Sequence, residues 1–223
     1  MGCWSAEYAT KAYLRTIKMG SSDKEPNVAE FISALSAGKN AQLMVVACAT
    51  RAGSPALGLV AAAHQTGGRV ICIVSSEEEL QLSIDILGCN ATQVEFVVGE
   101  PQTLLSSEYS KADLVVIDCN LENHEDIFKA VQISAERRKM STTVLGYNAL
   151  CKNSWQWGGS ETHLLPIGEG LLMTTIAARG ESSGHENGCS GKRSRWIVKV
   201  DRCTGEEHVF RVRSSHRRAV IKA

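Results

Sequence analysis

The feature that most restricts this chain is a change of period near residue 43. Residues 43–49 read LMVVACA, a continuous apolar run with no polar alternation. Such a run suits a strand covered on both faces and argues against a strand with one wet side. Largely apolar runs recur at 70–74, 94–98, 114–117 and 142–146. Helical segments lie between several of them. Ser54 is read as the cap of a helix that has Pro55 in its first turn and runs to His64, with Gly67-Gly68 beyond it. Ser76 is read as the cap of a helix over 77–87, which Gly88 closes, and a third helix is read over 125–139. Strands joined through helices are parallel, with right-handed crossovers. The expected fold class is therefore α/β, a doubly wound, mostly parallel sheet with helices on both faces.

The ends of the chain depart from this alternation. Two helices precede the first strand. One covers 5–18, with Ser5 as cap and Gly20 beyond its end; the other has Pro26 in its first turn, Phe31, Ile32 and Leu35 as its apolar stripe, and Gly38 after it. After the fifth strand, 163–167 and 171–178 read as strands around Gly168-Glu169-Gly170. So short a connection requires antiparallel pairing, giving the sheet an antiparallel terminal strand. Residues 180–195 are rich in Gly and Ser and read as a linker or loop. Alternation over 196–201 and 208–212, around Thr204-Gly205, predicts an exposed β-hairpin. The expected organisation is an α/β domain over 1–179 with its N-terminal helices in 5–37, a linker over 180–195, a hairpin extension over 196–213 and a basic tail over 214–223.

Composition narrows the function classes. Apolar residues are 43% of the chain but aromatics only 5%, so the core must be built from Ala, Val, Ile and Leu. Lys plus Arg is 24 and Asp plus Glu is 24, which gives the whole chain no charge-driven attraction to nucleic acid or acidic membranes. Residues 180–223 nevertheless hold 10 of the basic residues and only five of the acidic ones. Such a tail is either solvated or reserved for an anionic partner. A small-molecule ligand is the expected partner, with no membrane and no nucleic acid. The eight cysteines form no CxxC pair and no zinc spacing. Cys48, Cys72 and Cys119 sit in or at the ends of apolar runs, where a thiol behaves as a small hydrophobe. With no secretory segment and no 18-residue apolar run, the expected location is cytoplasmic, with the nucleus also open. Met1-Gly2-Cys3 hints at acylation, but Ala6 stands where that pattern wants Ser or Thr.

In an open parallel sheet, ligands bind beyond the carboxyl ends of the strands, so those ends carry the candidates. The turn after the first strand, through Cys48, Gly53 and Ser54, leads into a helix N-terminus suited to an anion, but its single glycine is too few for a dinucleotide fingerprint. Val74 ends the second strand, where a carboxylate would grip a ribose. Ser75, Ser76 or Glu77 can substitute, or Ser76 can simply cap its helix. Gly99 follows the third strand. Asp118 ends the fourth, either to bind a ligand or to cap a loop, and His124 follows as a general base or a solvated loop residue. Tyr147 and Asn148 end the fifth. Trp155 and Trp157 offer a wall for a flat substrate or pack on the sheet.

Four stretches together resemble a known superfamily. They are Ala29-Glu30-Phe31-Ile32-Ser33 up to Ala41, Ala52-Gly53-Ser54, Asp113 to Asp118 followed by Asn123-His124, and Leu165-Pro166-Ile167-Gly168-Glu169-Gly170. They resemble the class I S-adenosylmethionine-dependent methyltransferases, and within them the small plant O-methyltransferases of the caffeoyl-CoA and catechol type. From Cys3-Trp4-Ser5-Ala6 onward, the whole chain is also similar to a plant-specific family of unknown function assigned to that superfamily. The resemblance implies S-adenosylmethionine as cofactor, with Asp118 at its methionine part. Cys48, Gly53, Ser54, Ser75, Ser76, Glu77 and Gly99 would line the rest, and Tyr147, Asn148, Trp155 and Trp157 the acceptor. It also implies a homodimer. Three family positions depart from the pattern. Val46 and Cys48 stand where that family has an acidic residue and a glycine, and Val74 where it has its ribose-binding Asp. Of its Asp, Asp, Asn metal ligands only Asp118 matches, with Asn148 and Ala149 at the other two places, so no metal is expected. Two functions follow: a methyltransferase acting on a small molecule, or a methyltransferase-like binding or regulatory module that has lost catalysis.

Overall fold

A computed structural model describes residues 4–20, 27–151, 162–177, 194–200 and 207–213. The chain divides into two compact units, Met1–Ser182 and Ser183–Ala223. In chain order, the first unit holds α1 (Ala6–Met19), α2 (Val28–Gly38), β1 (Leu43–Ala47), α3 (Ser54–Thr66), β2 (Arg69–Val74) and α4 (Glu77–Leu87). It continues with β3 (Val94–Val98), α5 (Pro101–Ser106), β4 (Leu114–Asp118), α6 (His124–Arg138), β5 (Thr142–Tyr147), β6 (Thr162–Leu165) and β7 (Leu171–Ile176). Its sheet runs β3-β2-β1-β4-β5-β7-β6. The first five strands pair in parallel, and β7 pairs antiparallel with both β5 and β6. This is the mostly parallel α/β sheet that the apolar runs demanded. The second unit contains an antiparallel pair, β8 (Ser194–Val200) and β9 (Glu207–Arg213).

Strand parity sorts the core into two layers. Met44, Val46, Cys72, Val74, Leu114, Val116 and Leu145 face one way and pack with Ile32 of α2 and Leu59 of α3. Their alternates Val45, Ile71, Ile73, Val115, Ile117 and Val144 face the other way, onto Leu105 of α5 and Ile127, Phe128 and Val131 of α6. The central strands β1, β2 and β4 are thus apolar at consecutive positions because each of their faces meets a helix. On the first face, α3 approaches α2 so closely that a Cβ on Gly58 would lie 2.5 Å from the Ala29 carbonyl oxygen.

Local signals explain most boundaries. Asn27 caps α2 in a capping box with Glu30, and Ser76 Oγ accepts the Glu79 N–H at 3.2 Å. Ser54 is not a cap. The cap of α3 is Gly53, without a side-chain bond, and Ser54 is the first helical residue beside Pro55. Gly38 lies inside α2, not after it. The short α5, started by Pro101, interrupts the segment between the third and fourth strands, which showed no helical period in the sequence.

Candidate functional site

Strand order reverses between β1 and β4, and the carboxyl ends of these strands open onto a cavity of about 400 Å³. Parity decides which tips reach it. Asp118 pairs in register with Tyr147, and both continue the face that carries Val116 and Leu145, toward α2 and α3. The cavity is lined by Asp118 and Asn120 after β4, by Tyr147 and Asn148 after β5, and by Thr50, Arg51, Gly53, Ser54 and Pro55 between β1 and α3. Asn27 and Val28 at the start of α2, and Gly168 and Glu169 in the β6–β7 turn, complete the wall.

Asp118 is the centre of the polar network. It is 7% exposed, and its Oδ1 accepts the Asn120 N–H at 3.0 Å and Asn148 Nδ2 at 2.9 Å. Its Oδ2 accepts the Ala49 N–H at 3.4 Å. Three loops therefore converge on one carboxylate. Asn148 achieves its part with φ +61°, a left-handed conformation that Asn tolerates better than most residues. The β6–β7 turn is fastened beside it, since the Ala149 and Leu150 N–H groups donate to the carbonyls of Gly170 and Glu169 at 3.1 and 2.9 Å. Gly168 and Gly170 adopt φ +55° and +85° there. Burial, reinforced by Cys48 and Asp118 alongside, pushes the Tyr147 phenol well above its ordinary range, so it remains a neutral O–H.

The remaining candidates among the described residues lie outside this cavity's lining, for identifiable reasons. Cys48 is 1% exposed, and its Sγ lies 3.7 Å from Cys72 Sγ within the core. That contact, together with burial, raises the Cys48 thiol well above its usual range. Ser76 Oγ is committed to its helix cap, and the Ser75 N–H donates to Glu79 Oε2 at 2.8 Å. Glu77 is an exposed residue of the first turn of α4. Gly99 donates its N–H to the Val74 carbonyl at 3.0 Å, and a Cβ on it would lie 3.1 Å from Leu104 Cδ1. His124 is neither a solvated loop residue nor a neighbour of the cavity. It opens α6, which packs on the opposite layer. It is 7% exposed, with Nδ1 2.8 Å from the Leu121 carbonyl and Nε2 buried without a partner among the described residues. Trp155 and Trp157 fall outside the described residues.

Sequence reasoning missed Asn27, Val28, Thr50, Arg51, Pro55, Asn120, Gly168 and Glu169 as wall residues. Arg51 was findable, because it lies in the turn after the first strand. Asn27 was not, because only the packing of α2 on α3 brings it there.

A divalent ion does not fit this donor set. Asp118 is its single carboxylate at the strand tips, Asn148 turns its amide N–H toward that carboxylate, and Ala149 brings no side-chain oxygen. Among the described residues no group of three His, Cys, Asp or Glu side chains is placed to hold a metal. No helix of the described residues is long and apolar enough to cross a membrane.

A family model described as protein of unknown function (DUF1442) matches residues 2–212. The chain belongs to the DUF1442 family. Among solved structures, it is similar to a candidate caffeoyl-CoA O-methyltransferase from Staphylococcus aureus, at 14% identity and a TM-score of 0.53, over 78% of this chain and 93% of that one. It is similar to a candidate O-methyltransferase from Klebsiella pneumoniae at 13% identity and a TM-score of 0.52, over 78% and 91%. An SAH-bound methyltransferase from Podospora anserina matches at 12% identity and a TM-score of 0.51, over 77% and 88%. A search of curated proteins finds no match. At these identities the likeness establishes a methyltransferase-like fold for this DUF1442 chain.

Proposed function

We propose that this DUF1442 protein is a methyltransferase-fold binding module. It holds a small molecule in the cavity above β1, β4 and β5, and it no longer uses S-adenosylmethionine for catalysis. The observation that carries this reading is the tip of β2. Val74 is fully buried where a ribose diol needs a carboxylate. The polar groups just beyond it are engaged with one another, Ser76 Oγ on the Glu79 N–H and Glu79 Oε2 on the Ser75 N–H. Cys48 turns its thiol into the core beside Cys72. The nucleoside half of a cofactor thus finds apolar and capping side chains, whereas the cavity lies on the other side of the switch point.

One observation favours the rival, a methyltransferase that transfers the methyl group of S-adenosylmethionine to a small molecule. Gly53, Ser54 and Asp118, three of the residues expected at the cofactor, do share a cavity. Titration calorimetry with S-adenosylhomocysteine separates the two readings. The binding module gives no saturable heat at millimolar ligand. Saturable binding that disappears in Asp118→Ala would instead establish the methyltransferase.

A further inference from the structure

Helix α1 lies against both α2 and α3, and it docks there through small residues. Its buried positions are Ala9, Ala12 and Thr16, and the Thr16 hydroxyl returns to the Ala12 carbonyl of its own helix at 3.0 Å. Of its large apolar side chains, Met19 packs partly against the core, whereas Leu14 and Ile17 are exposed. Short side chains bury little apolar area, so polar links weigh more in this docking than in the core. One link joins the Ser5 N–H to the Gly38 carbonyl of α2 at 2.8 Å. Another joins Arg15 to α3, where its Nη2 lies 2.7 Å from His64 Nε2.

The second link has a protonation state built into it. A guanidinium stays protonated and has no acceptor, so His64 Nε2 must supply a lone pair. The imidazole is therefore neutral, with its proton on Nδ1. Arg15 makes no salt bridge among the described residues, and its Nε is buried without a partner. The surrounding charges do not offset this arrangement. α3 carries no other ionisable side chain, and β1 and residues 88–93 bring no charge. On α1, Glu7 and Lys11 hold each other at 2.6 Å, and Lys18 adds a cation one turn beyond Arg15. On α2, Glu30 accepts the Asn27 N–H, and on β2, Arg69 is paired with Glu95. Partial burial, and then the Arg15 charge, hold the His64 imidazole below its ordinary value of 6.5. Protonation would remove the acceptor and set two cations in contact.

We infer that α1 is an acid-released helix: protonation of His64 breaks its link to Arg15 and frees α1 from α3, while the sheet stays folded. The sign follows from the two states. A freed His64 takes up its proton at the ordinary value, and the docked one only at lower pH. Docking is therefore at full strength above about pH 6.5 and is lost as pH falls through the docked value. The inference is independent of which ligand the cavity takes.

Hydrogen–deuterium exchange of the full chain, read by mass spectrometry at about pH 7.5 and about pH 5 with times scaled for the intrinsic pH dependence, tests this. Protection of α1 should fall at least about fivefold at the lower pH, where a free imidazole is almost fully protonated, while β1 keeps its protection. His64→Gln presents an amide oxygen that accepts from Arg15 and does not titrate, so it should suppress the fall. Arg15→Ala removes the cation and should leave α1 less protected at neutral pH, with no further loss in acid. A fall of less than about fivefold in the unaltered chain, or loss of β1 protection together with α1, overturns the inference. So does an equal fall in either variant. Protection of β1 at neutral pH verifies that each variant folds, and Arg15→Ala remains decisive if His64→Gln does not.

Discussion

The carboxyl edge of the sheet divides into two halves that obey the same parity yet end differently. Above β1, β4 and β5 the strands release into loops that turn their polar groups toward one cavity, with Asp118 accepting bonds from Ala49, Asn120 and Asn148. Above β2 and β3 the chain passes almost directly into helices. After β2 the Ser76 hydroxyl serves the start of α4 and Val74 fills the interior, while after β3 the Glu100 carboxylate accepts from Asn123 Nδ2 at 2.6 Å. The difference comes from the length of chain between each strand and its next helix. A loop long enough to double back can converge on a carboxylate. Where β2 becomes α4 within two residues, the Ser76 hydroxyl is spent on an orphan N–H group of the helix.

The strongest way to break this contrast is Val74→Asp. If the β2 half is core, the variant buries an unpaired charge and should lose about 3–5 kcal/mol in urea denaturation, with no gain in S-adenosylhomocysteine binding. Unchanged stability with new nucleoside affinity would show that half to be a latent site. Asp118→Ala leaves three donors without their acceptor. It should cost about 1–3 kcal/mol by chemical denaturation, toward the low end because cavity water can reach them. A cost near zero would mean that the three loops are held by other contacts. Ser76→Ala removes a helix cap and should cost about 1 kcal/mol by the same measurement, while leaving cavity binding unchanged. If it weakened binding in the cavity, the two halves would be coupled.

A separate effect should appear only in alkali. Cys119, on the layer opposite the cavity, has its thiol pushed up to about 12, chiefly by burial and then by Asp118 nearby. In the unfolded chain the thiol ionises near its ordinary value of 9.0, whereas the folded chain keeps its proton until about pH 12. The folded state therefore binds more protons in that window, and stability falls as pH rises through it. Below that window the thiol contributes no pH dependence. Denaturation midpoints between pH 9 and 12 should fall less steeply in Cys119→Ala than in the unaltered chain, and parallel slopes would contradict the burial argument. Arg51→Ala should be smallest of all in stability, within about 0.5 kcal/mol, because its side chain is exposed.

Much of this architecture is legible in the sequence. The runs at 70–74 and 94–98 mark β2 and β3 to within a residue, and Ser76 and Gly88 bracket α4 correctly. Asp118, Tyr147 and Asn148 stand out because each ends an apolar run, a local property. His124 opens α6 and is not among the residues lining the cavity, because nearness to Asp118 along the chain says nothing about layer. Residues 118 and 124 are separated by a loop that carries the chain to the other face of the sheet.

The order of residues by itself determined the α/β class, since an apolar run without alternation can be stable only when helices cover both faces, and it determined which side chains stand at strand ends. Which of those ends share a cavity was decided by the tertiary structure. Strand order, the close seating of α3 on α2 through Gly58, and the left-handed turn at Asn148 depend on contacts between residues distant along the chain. Burial energy is set by neighbours in space, and no local pattern in sequence encodes which neighbours those will be.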